Sequence, residues 1–183
     1  MILARWRARR ANRNLIDQIH GEIVAAAREP ALFREFAVPD DLDGRFEMVT
    51  LHAGLALRRL GALGPLGAAI AQDLVDCLFE RFDDALREMA MSDAGVSRRI
   101  KSMTAAFYGR NKVYGEALAA RDLDALAAGL ARNVFRVPAV IDAPRAPALA
   151  SRVAATAVAL DAVPIEVFAE GRFSFPLAEG EAR

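Results

Sequence analysis

Residues 43–61 read DGRFEMVTLHAGLALRRLG, and this stretch decides the fold. Apolar side chains surround it on nearly every side, and its polar side chains form only a thin strip at Glu47, Thr50 and Arg58. A helix that is apolar almost all round is covered by neighbouring elements, so this one is predicted to lie at the centre of the protein. Asp43 is its predicted N-cap.

Helical periodicity continues on both sides of this segment. Further helices are predicted at about 14–28, 65–89, 96–120, 122–135 and 149–163, with a short turn at 32–36. Residues 164–176 fit either two short strands around residue 170 or a helical turn. The sequence therefore predicts an all-α, single-domain array of about six helices with a short irregular or hairpin-like C-terminal tail.

The length of 183 residues fits one domain with appendages. We expect a basic N-terminal tail at 1–13 and a helical domain at 14–136. An extension at 137–183, which begins as a linker punctuated by Pro138 and Pro144, is expected to pack on the same domain.

Composition excludes several classes of protein. The 24 basic residues balance the 24 acidic ones, whereas generic DNA binding needs a net basic footprint. A single cysteine, Cys77, and two histidines exclude a disulfide scaffold and a histidine-rich or thiolate metal site. We therefore expect no metal, no cofactor and no DNA partner. Arginine greatly outnumbers lysine, as is typical of high-GC bacterial genomes.

The N-terminus is strongly basic, with no acid before Asp17. It lacks the apolar segment of a signal peptide, and no stretch of the chain is apolar enough to span a membrane. Ile2, Leu3 and Trp6 among the arginines fit contact with an anionic bilayer or a frayed tail equally well. The expected location is the cytoplasm, with peripheral contact at the inner membrane left open.

One face of the third predicted helix carries a row of acids, which we call the acidic ridge. Its members are Asp73, Asp76, Glu80, Asp83, Asp84 and Glu88. Each like-charge i,i+4 step costs a few tenths of a kcal/mol, and Arg87 relieves part of the repulsion through its spacing from Asp83. The ridge is either a solvated face or a surface that meets a cationic partner.

The fourth predicted helix is basic on its outer side. Arg98, Lys101, Tyr108 and Lys112 form this stripe, which is weak evidence for binding RNA or an acidic protein surface.

Arg110 lies instead at the edge of the core stripe of this helix. A guanidinium in that position needs a partner, and Glu47 or Asp83 is the expected carboxylate.

Catalytic templates do not match the chain. Glu47 and His52 are five residues apart, which is not the spacing of a di-iron bundle, and no H-E-x-x-H motif occurs. His52 is predicted to be a core histidine, and the acidic, helical setting of Cys77 should raise the pKa of its thiol. No catalytic residue is predicted, so we expect a protein that is not an enzyme.

Three blocks of sequence occur in a fixed order, namely Asp43–His52, Asp76–Met89 and Lys101–Arg110. Together they resemble the ubiquinol–cytochrome c chaperone family, and the resemblance covers roughly residues 15–135. It implies a helical assembly factor for the cytochrome bc1 complex that binds newly made cytochrome b or another subunit. Eukaryotic relatives act with a small partner protein at the ribosome.

The resemblance supports two hypotheses about the site. A partner-binding surface would comprise Asp73, Asp76, Glu80, Asp83, Asp84, Arg87, Glu88, Met91, Asp93, Lys101 and Tyr108. A structural motif would comprise Asp43, Phe46, Glu47, His52, Phe107, Gly109 and Arg110.

Two alternatives belong to other classes. One is a small-molecule-binding or catalytic helical protein that uses the neighbourhood of 46–52 and 107–110. The other is a ribosome-associated factor that reads RNA through the basic stripe.

Overall fold

The helix predicted to be central lies at the centre of the structure. The structure is a computed structural model, which describes residues 2–90 and 92–176 and describes side chains from residue 12 onward. The helices are α1 (Ile2–Ala27), α2 (Pro30–Arg34), α3 (Leu42–Gly61), α4 (Gly64–Glu88), α5 (Asp93–Ala120), α6 (Leu123–Asn133), α7 (Ala146–Asp161) and α8 (Ile165–Ala169). A single 3-10 turn, Val140–Asp142, precedes α7. These ranges contain no β-strand, so the all-α class is confirmed.

Helix α3 is surrounded by four other helices, as its apolar circumference predicted. It packs against α1, α4, α5 and α7. Met48, Ala53 and Leu60 are fully buried along it. Full burial of a large apolar side chain contributes about 1.5–3 kcal/mol, so the residues of α3 are a large part of what holds the other helices in place.

Helix α1 begins at Ile2, which corrects the predicted start at about Asn14. The prediction followed the apolar period, which begins with Leu15 and continues through the fully buried Ile19 and Ile23. Alanine and arginine are strong helix formers, so an arginine-rich segment can be helical without any apolar period to reveal it.

The N-cap of α3 is Asp41, not the predicted Asp43. The side chain of Asp41 accepts a hydrogen bond of 2.7 Å from the backbone N–H of Gly44. Gly44 is required there, because a Cβ atom would lie 1.9 Å from the carbonyl oxygen of Pro39. Asp43 instead forms an ion pair of 2.5 Å with Arg99, which ties the start of α3 to α5.

Two other helix starts carry side-chain caps. Ser92 accepts from the N–H of Gly95, so α5 begins at Asp93, three residues before the predicted start. Asp122 accepts from the N–H of Ala125 at 2.8 Å and caps α6. These caps satisfy N–H groups that the first turn of a helix leaves free.

The C-terminal residues join the same hydrophobic core as α1 and α3. Residues 165–169 form a helix, which decides between the two predicted alternatives for the tail. Phe168 stacks on Phe173 at 4.5 Å between ring centroids, and Phe173 contacts Phe175 at 5.2 Å. The backbone turns at Gly171, whose φ of +65° favours glycine.

None of the helices in the described ranges combines the length and hydropathy that crossing a bilayer requires. The hypothesis of membrane contact depends on Ile2, Leu3 and Trp6, whose side chains are not among those that the structure describes.

Candidate functional site

A buried ion pair joins α3 to α5. Arg110 Nε donates to Glu47 Oε2 at 2.5 Å, so the predicted choice between two carboxylates falls on Glu47. Glu47 is only 5% exposed, and burial raises the pKa of its carboxyl group while Arg110 opposes that rise. A carboxylate as deeply buried as that of Glu47 needs a cation beside it, so the contact between Glu47 and Arg110 is required for the packing of α3 on α5.

A chain of aromatic rings continues from this ion pair across three helices. The Arg110 guanidinium lies 6.0 Å from the centroid of the Phe46 ring. Phe46 contacts Phe82 at 5.4 Å between centroids, and Phe79 links Phe82 to Phe107. These edge-to-face pairs are each worth about 0.5–1.5 kcal/mol beyond their burial. The three blocks that resemble the chaperone family therefore meet in one place.

Tyr108 ends this series of rings at the protein surface. It contacts Phe107 edge to face at 5.5 Å between centroids, and it is 56% exposed. The aromatic interior therefore reaches solvent at a side chain that can both pack and form a hydrogen bond.

The acidic ridge borders an open groove between α1 and α4, which we call the acidic groove. Its volume is about 670 Å³. The lining residues are Asn12, Arg13, Ile16, Asp17, Asp73, Asp76, Cys77, Glu80, Arg81 and Asp84. Four ridge acids thus face one concave surface.

Hydrogen bonds engage only part of the ridge. Asp73 accepts from Asn12 at 2.8 Å, and Asp76 accepts from Gln72 at 3.0 Å. The carboxylates of Glu80, Asp84 and Glu88 have no ion-pair partner among the residues that the structure describes, which leaves them exposed to any cation that reaches the ridge. All three side chains are exposed.

The remaining ridge acid, Asp83, belongs to a separate cluster at the loop between α4 and α5. Arg87 bridges Asp83 at 2.5 Å and Asp93 at 2.6 Å, so the predicted pairing of Arg87 with Asp83 is present. All three side chains are substantially exposed, so water screens these pairs and they contribute little to stability. Met91, which was predicted to join this surface, lies outside the described residues.

The structure divides the predicted partner surface. Tyr108 lies beside a different groove, between α3 and α5, and none of the ridge acids lines that groove. Lys101 is exposed on α5 and makes no ion pair within the described ranges. Gly109, predicted as part of the structural motif, is exposed, and a Cβ atom there would meet open space.

His52 also lies apart from the Glu47–Arg110 pair. Its ring packs edge to face on Phe175 at 5.4 Å between centroids, and its Nδ1–H donates to the carbonyl of Met48 at 2.8 Å. Burial lowers the pKa of His52 to about 4, so the imidazole is neutral. It is a core histidine, as predicted.

Cys77 lies on the wall of the acidic groove. Burial is the main cause of the raised pKa of its thiol, although a hydrogen bond with Arg81 opposes it. The prediction of a raised pKa is correct, but burial outweighs the acidic neighbours that the sequence pointed to. Across the described ranges, no group of histidine, cysteine and carboxylate side chains could hold a metal ion.

Sequence reasoning identified only one end of the groove between α3 and α5, because Leu51, Phe107 and Tyr108 line it and lie in the predicted neighbourhood of 46–52 and 107–110. Its floor forms where Asn111 crosses Gly54, and a Cβ atom on Gly54 would lie 1.9 Å from Asn111 Oδ1. Glycine inside a helix costs about 1 kcal/mol relative to alanine, so Gly54 was a signal of close packing at this point. Nothing in the sequence pattern identifies Asn111 as its neighbour.

Comparison with known proteins agrees with this architecture. Residues 34–175 match the family described as ubiquinol-cytochrome C chaperone. The match begins later than the predicted resemblance, at residue 34 instead of about 15, and it extends well beyond the predicted end at residue 135. The crystal structure of the Cbp3 homolog from Brucella abortus is similar, with a TM-score of 0.83 and 38% sequence identity. The match covers 96% of this chain and 97% of that chain.

Comparison with curated proteins gave no match. The family match alone spans all three helices that carry the Glu47–Arg110 pair and the aromatic rings. The chain therefore belongs to the ubiquinol–cytochrome c chaperone family.

Proposed function

We propose that this protein is a non-enzymatic assembly factor of the cytochrome bc1 complex that holds newly made cytochrome b before it is assembled. The observation that carries the proposal is the family match, together with similarity to the Cbp3 homolog over nearly the full length of both chains. A chaperone for an apolar client needs accessible, adaptable surface, and this molecule has open grooves on more than one side.

The acidic groove is the proposed contact surface for basic segments of the client or of another subunit. Glu80 and Asp84 face solvent without an ion-pair partner in the described part of the chain, so binding a cation would not require an existing pair to break. Opposite charge on a client increases its rate of association and penalises wrong partners. The cluster of Arg87 with Asp83 and Asp93, together with Met91, Lys101 and Glu88, would extend this surface.

Charge reversal tests the acidic groove. The triple substitution Asp76→Lys, Glu80→Lys and Asp84→Lys should leave the fold intact, because all three side chains are exposed. In a strain that lacks the chromosomal copy, the variant should restore much less cytochrome b and bc1 complex than the wild-type protein does.

A matched control keeps the same change in net charge away from the groove. It replaces three exposed acids with lysine, namely Glu116, Asp124 and Asp142. If the groove variant is folded and restores bc1 complex as fully as this control, the ridge is only a solvated face.

The basic stripe of α5 is a second candidate surface, with RNA as the alternative partner. Arg98 and Lys101 are exposed, and Lys112 lies 4.0 Å from Glu116. Contact with a ribosome therefore stays a prediction, which steeply salt-dependent RNA binding would support.

The proposed place of action is the cytoplasm next to the inner membrane, where a membrane-bound client must be held before it inserts. Basic residues near an anionic bilayer contribute about 1 kcal/mol each, so the arginines before Asp17 would favour this location. When cells are fractionated, the protein should be found in the membrane fraction at low salt and in the soluble fraction at high salt. Its absence from membranes at low salt would contradict this part of the proposal.

A further inference from the structure

Several helix termini meet at one end of the molecule, which we call the Leu66 end. Helix α3 finishes there, where Arg58 pairs with Asp161 at 2.6 Å and Arg59 donates hydrogen bonds of 2.8 and 2.6 Å to the carbonyl oxygen of Val163. These contacts place the end of α7 beside the end of α3. Helix α4, which carries Leu66 in its first turn, begins three residues after α3 finishes.

The first turns of α1 point toward the same end. Asn12 donates to Asp73 at 2.8 Å, and Arg81 pairs with Asp17 at 2.8 Å, so α1 and α4 run parallel. Helix α1 has ten residues before Asn12 and α4 has nine before Asp73, so both helices begin about 13–15 Å farther along the same direction. The basic start of α1 therefore belongs to the Leu66 end.

The Leu66 end exposes large apolar side chains to water. Leu66 is 54% exposed, and Val158, one turn before the end of α7, is 71% exposed. The residues beside each of them in the chain are proline, glycine or alanine, so neither has a charged neighbour in sequence. Leu123, at the start of α6, is 46% exposed at the same end.

The start of α1 brings strong positive charge to these apolar side chains. Five arginines, at positions 5, 7, 9, 10 and 13, precede the first acid of the chain, and Ile2, Leu3 and Trp6 alternate with them in sequence. A segment of this composition suits the surface of an anionic bilayer, where apolar side chains enter the interface and cations meet the headgroups.

The acids of the Leu66 end do not cancel this charge. Asp161 is paired with Arg58, and Asp122 caps α6. Asp124 is exposed, and the exposed Arg121 matches it in charge. The arginines of α1 therefore leave this end of the molecule with a net positive charge.

The opposite end of the molecule, where α3 begins and α4 and α6 finish, differs in charge. It also exposes large apolar side chains, but Leu42 lies between two aspartates, Met89 follows Glu88, and Ile141 precedes Asp142. An anionic surface would be repelled at these positions. Charge therefore selects the Leu66 end as the one that fits a bilayer.

We propose that the Leu66 end rests on an anionic phospholipid bilayer, with Leu66 and Val158 in the headgroup layer and the arginine-rich start of α1 beside them. The proposal rests on the proposed function for its place in the cell, and it deepens that function by naming the face that meets the membrane. Apolar side chains that enter the interface leave water, and each basic residue adds attraction to anionic headgroups.

This orientation stands the acidic groove upright on the bilayer. The ridge begins with Asp73, about 10 Å along α4 from Leu66, and extends for about 22 Å to Glu88. Cytoplasmic loops of membrane proteins carry an excess of lysine and arginine near the ends of their membrane-spanning helices. The acidic groove would therefore lie at the height of the basic loops of a client in the same membrane.

A pair of substitutions removes the apolar contact without changing the charge. Leu66→Gln/Val158→Gln should leave the fold intact, because both side chains are largely exposed and glutamine is a strong helix former. The matched control is Leu42→Gln/Ile141→Gln, which makes the same kind of change at the opposite end, where these side chains are 55% and 86% exposed.

Flotation of the full-length protein with lipid vesicles tests the proposal. The wild-type protein and the control should float with vesicles of equal parts phosphatidylglycerol and phosphatidylcholine, and should bind vesicles of phosphatidylcholine alone much more weakly. Leu66→Gln/Val158→Gln should weaken binding to the anionic vesicles by at least about tenfold, because two apolar side chains no longer leave water. Emission from Trp6, the single tryptophan of the chain, should shift to shorter wavelength when the wild-type protein binds.

Three results would overturn the proposal. If the folded Leu66→Gln/Val158→Gln variant floats as well as the wild-type protein, the arginines act as a charged segment and the apolar side chains do not face the bilayer. An equal loss in the control variant would show that the Leu66 end is not the face that binds. Failure of the wild-type protein to float with anionic vesicles would remove the membrane contact altogether.

Failure of the proposed function would be seen in a different measurement. Normal bc1 content in the strain that lacks the chromosomal copy would contradict the proposed function, whatever the vesicles show. Vesicle binding is measured on the purified protein and does not depend on the client, so the two outcomes are separate.

Discussion

Replacement of Arg110 with alanine tests whether the Glu47–Arg110 pair holds the fold together. The substitution leaves a carboxylate that is 5% exposed without its cation, and it removes the guanidinium from the face of the Phe46 ring. Because α3 and α5 meet through this pair, its loss should destabilise the whole protein and not only one loop.

The size of the effect follows from the burial of the two partners. Breaking a buried pair by removing one partner costs about 3–5 kcal/mol. The side chain of Arg110 is 22% exposed, so water can reach the space it leaves, and the cost should be near the lower limit. We expect a loss of about 3 kcal/mol in the free energy of unfolding. For a chain of this size that corresponds to a fall in Tm of about 6–12 °C.

The destabilisation should depend on pH with a definite sign. Burial already raises the pKa of Glu47, and loss of Arg110 should raise it further. Between the unfolded-state pKa and this higher folded-state value, the folded protein binds more protons, so stability falls as pH rises. The difference between Arg110→Ala and the wild-type protein should therefore be larger at pH 8 than at pH 5.

Urea unfolding followed by circular dichroism at both pH values measures these differences. The double variant Glu47→Leu/Arg110→Met provides the control, because exchanging a buried pair for apolar side chains of similar size is often neutral or stabilising. A loss below about 1 kcal/mol for Arg110→Ala, or a loss that is equal at the two pH values, would refute this reasoning.

Three further predictions concern single residues. Gly44→Ala should lower the free energy of unfolding by about 1–3 kcal/mol, because its Cβ atom would lie 1.9 Å from a backbone oxygen; unchanged denaturation midpoints would contradict this. His52, whose pKa is lowered to about 4, binds protons more readily in the unfolded chain, so stability should fall by about 2 kcal/mol between pH 7 and pH 5. His52→Phe should abolish that part of the pH dependence, as measured by thermal unfolding. The Cys77 thiol, with its raised pKa, should react with iodoacetamide more slowly at pH 7 than a free cysteine does, and a faster reaction would be the contrary result.

The periodicity of apolar residues is sufficient to predict the arrangement of the helices, but it is insufficient to predict where each helix begins. The central position of α3 follows from the distribution of its apolar residues around the helix. That distribution depends on the sequence and the helical period alone and not on tertiary contacts. The start of α1 could not be predicted in the same way, because its arginine-rich turns have no apolar period. The N-cap of α3 is Asp41 and not the predicted Asp43. Several acids follow one another closely at this point of the sequence, and only the backbone geometry selects the one that caps the helix.

The sequence was less informative about the site. It predicted a carboxylate for Arg110, because a guanidinium at the edge of a core stripe must be paired, and Glu47 was one of few acids on a neighbouring apolar helix. It placed Tyr108 on the same surface as the acidic ridge, whereas the structure puts it beside the groove between α3 and α5. Helix periodicity gives the direction of a side chain from its own axis, but the neighbour that it faces depends on how the helices cross.

The most direct test of the central claim is whether this protein binds cytochrome b in the cell. A tagged copy, expressed at its natural level, would be purified from detergent-solubilised cells and probed for cytochrome b by immunoblot, beside a strain with an untagged copy. If the protein holds newly made cytochrome b, cytochrome b should co-purify with the tagged copy, and less should be recovered with the triple charge reversal. Recovery no greater than in the untagged strain, with a folded tagged protein, would contradict it.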